Sequence, residues 1–328
     1  MAQPTTPRAQ TQLDAADHGA QSPGVANLVR SASGASELDQ PSFGAVELAQ
    51  PSFGSARRLP LHGEQVLLYE AGDGPLLLYL HGLADVHAAV ADWLPAHERL
   101  AEGHRLLAPA HPGCAASTGL GEIDSLEDLV FHYLDLLDVL GLDRVDVVGN
   151  CVGGWIAAEL AVRRPDRIRR LVLIDATGLY VPGAPIADVF MMAVRRDGAN
   201  LSDLRALLFG DPQALVAVEM FPDERCDTPT EVLRYQALSF AGRIGWTPPY
   251  LYDRKLRGHL RRITCPALVL WGAQDRLVPP AHGDAYAAGI PGATLTPLDS
   301  VGHSPLLEAP DHATELVSSF LAGGDTKR

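Results

Sequence analysis

The chain has 328 residues, 47% of them hydrophobic and 20% charged, which is the composition of a globular protein with core to spare and excludes a disordered or fibrous chain. Its 26 Lys and Arg face 40 Asp and Glu, a net charge of −14, with no basic block that could track phosphates, so no nucleic-acid partner is expected. The opening stretch MAQPTTPRAQTQLDAADHGAQ has neither a basic n-region nor an apolar h-region, and no run of about 18 apolar residues could span a bilayer; the expectation is a cytoplasmic protein without a membrane partner.

Residues 1–57 read as a low-complexity tail, rich in Ala, Ser, Gln, Pro and Gly and without sustained apolar periodicity. Within it ELDQPSFGA (Glu37 to Ala45) is nearly repeated as ELAQPSFGS (Glu47 to Ser55). A twofold ten-residue repeat is too short for a solenoid; it reads as a duplication in a linker, with a docking motif anchored by Phe43 and Phe53 as the sharper alternative.

Beyond Leu59 short apolar runs alternate with helical patterns. EQVLLYE and PLLLYL read as strands, a short helix near Ala96 to Ala101 precedes a strand at His104 to Ala108, and the apolar spacing from Leu126 to Leu137 predicts a helix ending at Gly141. Strands follow at Val145 to Val148, Arg169 to Asp175, Ala267 to Gly272 and Ala293 to Leu298, with helices after the first and last and around Ala281 to Ala288. Continuous apolar strands separated by helices predict an α/β fold around a mostly parallel sheet covered on both faces. The core is expected over 58–175 and 263–328, with a helical insert over 176–262.

The stretch VVGNCVGGW, Val147 to Trp155, carries the chemistry. In a strand-turn-helix of the form G-x-nucleophile-x-G the central residue is strained and small neighbours let sheet and helix approach. Gly149 and Gly153 bracket Cys151, whose thiol would stand beside the first amides of a helix, where the dipole favours a thiolate. A nucleophile also requires a base, an acid to orient the base, and donors for the developing oxyanion. His303, in DSVGHSP, and Asp275, in WGAQD, each follow a strand and belong at the same sheet edge; Asp175 is the reserve acid. The amides of Leu83 and Val152 are candidates for the oxyanion hole, Leu83 lying in LLLYLHGLAD directly after a strand.

These motifs, with APAHPG at Ala108 to Gly113 and LLEAPD after His303, resemble the α/β-hydrolase-fold superfamily over about residues 62–322. The chain is similar to its branch of small soluble hydrolases, which includes ring-cleavage-product hydrolases, carboxylesterases and haloperoxidase-like enzymes that use no cofactor. The resemblance implies catalysis by Cys151, Asp275 and His303 without cofactor or metal, and a helical lid in the insert. Two departures stand out: nearly all of that branch has serine where this chain has Cys151, although dienelactone hydrolases use cysteine, and Cys114 and Ala115 follow HPG where an aromatic residue and a glycine are usual.

A thiol would pass through an acyl thioester, which favours amines over water relative to an oxygen ester. The leading expectation is thus a hydrolase of esters, thioesters or activated carbonyls, the alternatives being an acyltransferase or cyclase with the same triad, and a ligand-binding relative without turnover. Phe190, Met191, Met192, Phe221, Trp246, Tyr250 and Tyr252, with His81 and Gly82, are candidate walls for a small apolar acyl or aromatic substrate; any acyl acceptor or carrier is unspecified.

The remaining cysteines, Cys114, Cys226 and Cys265, read as inert packing, and the four thiols form no C-x-x-C pair for zinc. The turn G-x-x-x-G-G lacks the G-x-G-x-x-G of a dinucleotide site, and the acidic GEIDSLED reads as a helix start capped by Ser125 rather than a metal site.

Overall fold

The computed structural model describes residues 50–190, 201–223 and 228–323; Phe43, Met191, Met192 and Cys226 lie outside them. Strands β1 (Ser55–Leu61), β2 (Glu64–Ala71), β3 (Leu76–Leu80), β4 (Arg105–Pro109), β5 (Val145–Asn150), β6 (Ile168–Ile174), β9 (Ala267–Gly272) and β10 (Thr294–Leu298) form one sheet in the order β1-β2-β4-β3-β5-β6-β9-β10. The β1/β2 and β2/β4 pairs are antiparallel and the others parallel. A separate pair, β7 (Gly178–Leu179) with β8 (Tyr252–Asp253), is also parallel.

Burial explains the strand sequences. Every residue of β5 and β9 is buried, so these strands are apolar on both faces rather than alternating, and removing side chains such as Val147 or Leu270 from water contributes about 1.5–3 kcal/mol each. Helices α1 (Pro95–Gly103), α2 (Leu126–Val139), α3 (Val152–Arg163), α8 (Ala281–Gly289) and α10 (Pro310–Ala322) join or follow these strands. In α3 all residues but the last are buried, whereas α2 keeps a polar face and starts with a capping box in which Ser125 and Asp128 bond reciprocally.

Strand β1 begins at Ser55, inside the stretch expected as tail. Only Leu59 and Leu61 of it are buried, a signal too short to read as a strand, and the pairing with β2 supplies the rest. Both outermost strands carry a proline, Pro60 in β1 and Pro297 in β10. Phe53, one proposed docking anchor, is instead spent on the core unit: its ring packs 5.4 Å from that of Trp93, and its carbonyl accepts a 3.0 Å bond from the Trp93 indole.

Between β6 and β9 the described residues include α4 (Leu201–Leu208), α5 (Leu215–Met220), α6 (Thr228–Gly245) and the short α7 (Leu256–His259); a one-turn helix α9 (Pro305–Glu308) precedes α10. The chain steps from β3 to β4 on one side and then to β5 on the other. Ligands of open α/β sheets bind outside the carboxyl ends of the strands at such a reversal.

Candidate active site

Cys151 follows β5 directly at that reversal, with φ 52° and ψ −115°, a conformation costing a non-glycine residue on the order of 1–3 kcal/mol. The cost is absorbed because the turn is held on both sides: the Cys151 amide donates to Ile174 O (2.9 Å), and the Cys151 carbonyl accepts from Gly154 (3.1 Å) and Thr177 (3.1 Å). Gly153 is required by close approach, since a Cβ there would collide with the carbonyl of Leu80 at the end of β3. Gly82 is required likewise, because its Cβ would come 2.8 Å from that of Cys151.

Asp275 and His303 meet as expected. Asp275 stands three residues beyond β9, and His303 lies in the loop between β10 and α9. His303 Nδ1 donates to Asp275 Oδ2 at 2.7 Å, and Asp275 Oδ1 accepts from the amides of Leu277 (2.9 Å) and Val278 (2.8 Å). His303 Nε2 is buried without a hydrogen-bond partner among the described residues. Burial alone would lower the pKa of this imidazole, but the charges of Asp275 and Cys151, with the hydrogen bond to Asp275, raise it well above the usual histidine value. Cys151 is only 2% exposed.

The reserve acid Asp175 is present too. It is fully buried at the end of β6, accepts from the Gly272 amide (2.9 Å), and offers an oxygen within 4.8 Å of both Asp275 and His303. Burial, and then repulsion from Asp275, push its pKa well above the usual carboxyl value. This group is also the one set among the described residues with metal-ligand proximity, but Asp275 already engages both oxygens with His303 and two backbone amides, which does not make a cation cage.

The amides of Leu83 and Val152 donate to no protein acceptor among the described residues and flank the thiol, one after β3 and one at the first position of α3. His81, a candidate pocket wall that also reads as structural, braces the loop after β3: Nδ1 donates to Gly82 O (3.0 Å) and Nε2 accepts from the His111 amide (3.1 Å). Burial lowers its pKa to about 4, consistent with that neutral tautomer.

Three of the aromatic candidates gather with one another. Phe190, Trp246 and Tyr250 form a cluster with ring centroids 4.9–5.8 Å apart, and Trp246 is 54% exposed. Tyr250 and Tyr252 line a cavity of about 280 Å³ with Tyr180, Ile186 and His282. Phe221 is buried against Phe209 and under the Arg234 guanidinium, so it packs the insert together. A second cavity of about 550 Å³, lined by Arg99, Arg169 and Arg170 among others, lies at the amino ends of β3, β4 and β6, on the opposite edge of the sheet from the thiol.

Of the other thiols, Cys114 is fully buried and its pKa is pushed far up by desolvation, and Cys265 is raised to about 11, also by burial. Neither is a nucleophile. Two residues of the site carried no sequence signal of their own, Asp85 and Asn150. They are joined by a 2.9 Å hydrogen bond beneath the loop and the turn, and only the meeting of β3 with β5 brings them together.

No helix among the described residues is long and apolar enough to cross a membrane. Residues 75–310 match the family model described as alpha/beta hydrolase fold. The chain is 28% identical over 279 residues to 2-hydroxymuconate semialdehyde hydrolase of Pseudomonas sp. strain CF600, covering 82% of this chain and 94% of that protein. It is 30% identical over 266 residues to the dihydrolipoyllysine-residue acetyltransferase component of an acetoin cleaving system from Pseudomonas putida, covering 76% of this chain but 64% of that protein. Among solved structures, 2-hydroxy-6-oxo-6-phenylhexa-2,4-dienoate hydrolase of Rhodococcus sp. strain RHA1 superposes with a TM-score of 0.64 at 22% identity over 82% of this chain and 98% of the other. With sheet order, turn and family match in agreement, the chain belongs to the alpha/beta hydrolase fold family.

Proposed function

We propose that the protein is a cysteine-dependent hydrolase that cleaves an ester, thioester or activated carbonyl through an acyl thioester on Cys151. The observation that carries this reading is the 2.7 Å bond from His303 Nδ1 to an anchored Asp275, which leaves Nε2 for the thiol at the strained turn. In the reaction Cys151 Sγ attacks the carbonyl carbon while its proton resides on His303 Nε2. The oxyanion takes the amide protons of Leu83 and Val152. Collapse of the tetrahedral adduct expels the leaving group, which collects the proton from His303. The neutral imidazole then draws a proton from water as water attacks the thioester, and Cys151 is regenerated. The helical insert acts as a lid, and the substrate is a small apolar acyl or aromatic compound, in keeping with the phenyl-bearing and muconate-type compounds in the names of related hydrolases.

Acyl transfer to an amine, thiol or alcohol is the second reading, favoured by the thioester's preference for amines and by the relative named as an acetyltransferase component. Intact-mass spectrometry after mixing with p-nitrophenyl and thioester acyl donors tests both. An adduct on Cys151 that is lost in water supports the hydrolase, one discharged only by an added acceptor supports the transferase, and no adduct with any donor refutes both.

A further inference from the structure

Asp85 is fully buried, yet it is held as a carboxylate. Its Oδ1 accepts from the Val86 amide (2.8 Å), and its Oδ2 accepts from the Asn150 side-chain amide (2.9 Å), the Gly82 amide (3.2 Å) and the Tyr79 hydroxyl. His97 lies close as well: its Nδ1 accepts from the Leu94 amide, so its Nε2 carries the proton, and Nε2 stands 3.5 Å from Oδ1 without a hydrogen bond to it. Burial opposes the charge, but His97, Asn150 and Tyr79 overcome it and hold the carboxyl below its usual pKa.

The placement of the donors is informative. Gly82 precedes Leu83, and Asn150 precedes the Cys151-Val152 peptide. One carboxylate oxygen therefore ties together the two loops whose free amides flank the thiol, one after β3 and one after β5. We propose that Asp85 is the positioning residue of the oxyanion hole, setting the distance between the Leu83 and Val152 amides through Gly82 and Asn150. The proposal rests on the acyl-thioester reading above.

Electrostatics and positioning give opposite signs. A buried negative charge near a developing oxyanion raises the energy of the transition state, so its removal would speed acylation if charge alone mattered. Asp85→Asn replaces one acceptor by an NH₂, which faces either the Gly82 and Asn150 donors on the Oδ2 side or the Val86 donor on the Oδ1 side, and it removes the charge that draws all of them in, so the loops shift and acylation slows. An amide displaced by about 1 Å costs on the order of 10²-fold. Alkylation of Cys151 by iodoacetamide forms no oxyanion and serves as the internal control.

The experiment measures, for wild type and Asp85→Asn, the acylation burst with a p-nitrophenyl ester and the rate of Cys151 alkylation. The expected result is acylation slowed about 10- to 100-fold with alkylation within about twofold of wild type. Unchanged or faster acylation overturns the proposal, as does a parallel fall of both rates, which marks Asp85 as a general core residue. If wild type alkylates at Cys151 but never acylates, the functional reading itself fails and the proposal with it. Should Asp85→Asn not fold, Asn150→Ala cuts the same tie from the other side and is read in the same way.

Discussion

A single imidazole carries the acid-base work of the proposed reaction, and its protonation sets the pH dependence. His303 must be neutral to accept a proton from water; in the resting enzyme Asp275 and Cys151 hold its proton to well above the usual histidine pKa, and in the acyl-enzyme, where the sulfur is an uncharged thioester, Asp275 remains as the raising charge. Deacylation is therefore expected to rise with pH as the imidazole loses its proton. Asp275→Asn removes one raising charge and should move that climb to lower pH, which a pH series of single-turnover deacylation measures. Loss of a triad acid commonly costs about 10⁴-fold. Because Asp175 already has an oxygen within 4.8 Å of both partners, the single variant should lose less, on the order of 10²-fold, and Asp275→Asn with Asp175→Asn should lose the remainder.

At the scale of elements, the loop that bears Asp275 and the helix α9 that follows His303 grip one short segment of the insert. The Arg276 guanidinium donates to the carbonyls of Ala206 (3.1 Å), Phe209 (2.9 Å) and Gly210 (3.3 Å), and so caps the end of α4. Glu308 bridges the amides of Gly210 (2.7 Å) and Gly302 (2.8 Å), the latter next to His303. Arg276→Ala should cost about 1.5–3 kcal/mol in urea denaturation, the range for hydrogen bonds to a charged group, and should lower the acylation rate through the adjacent Asp275. The grip on the insert was not legible in the sequence, because Arg276 and Glu308 reach Gly210 across 66 and 98 residues of chain. Strands β2 to β6, β9 and β10 and helices α1, α2, α3, α8 and α10 were legible to within about three residues, since their patterns are local and strong, whereas β1, β7 and β8 were not. The glycine-bracketed turn was legible for the same reason, as Gly153 responds to a steric demand that the motif states outright. Which aromatic residues of the insert face a ligand was not legible, because an aromatic side chain there packs as readily on its neighbours as on a ligand, and Phe221 packs on Phe209.

For the whole molecule, the buried histidines set the limit of acid tolerance. Burial lowers His81 and His132 to about 4 and His87 to about 3, so each is neutral in the fold and protonates near its ordinary value of 6.5 once unfolded. The unfolded state then binds more protons, and stability falls as pH drops from 6.5 toward 4, by up to about 1.4 kcal/mol per pH unit for each histidine. His303 has the opposite sign: its contribution is full below 6.5 and is lost only as pH rises through its elevated value. A urea midpoint measured at pH 7 and pH 5.5 should fall steeply; an unchanged midpoint would mean that these histidines accept protons in the fold. Phe53→Ala, which removes the ring contact with Trp93, should lower the thermal midpoint by about 2–4 °C for each kcal/mol lost. The prolines in β1 and β10 bear on self-association. An edge-strand proline sits with its missing N–H on the open side, so both rims of the sheet present an interrupted row of donors to any incoming chain. Crowded copies of this protein are therefore poor templates for fibrillar stacking, and any dimer they form has to be built through helices rather than by lengthening the sheet.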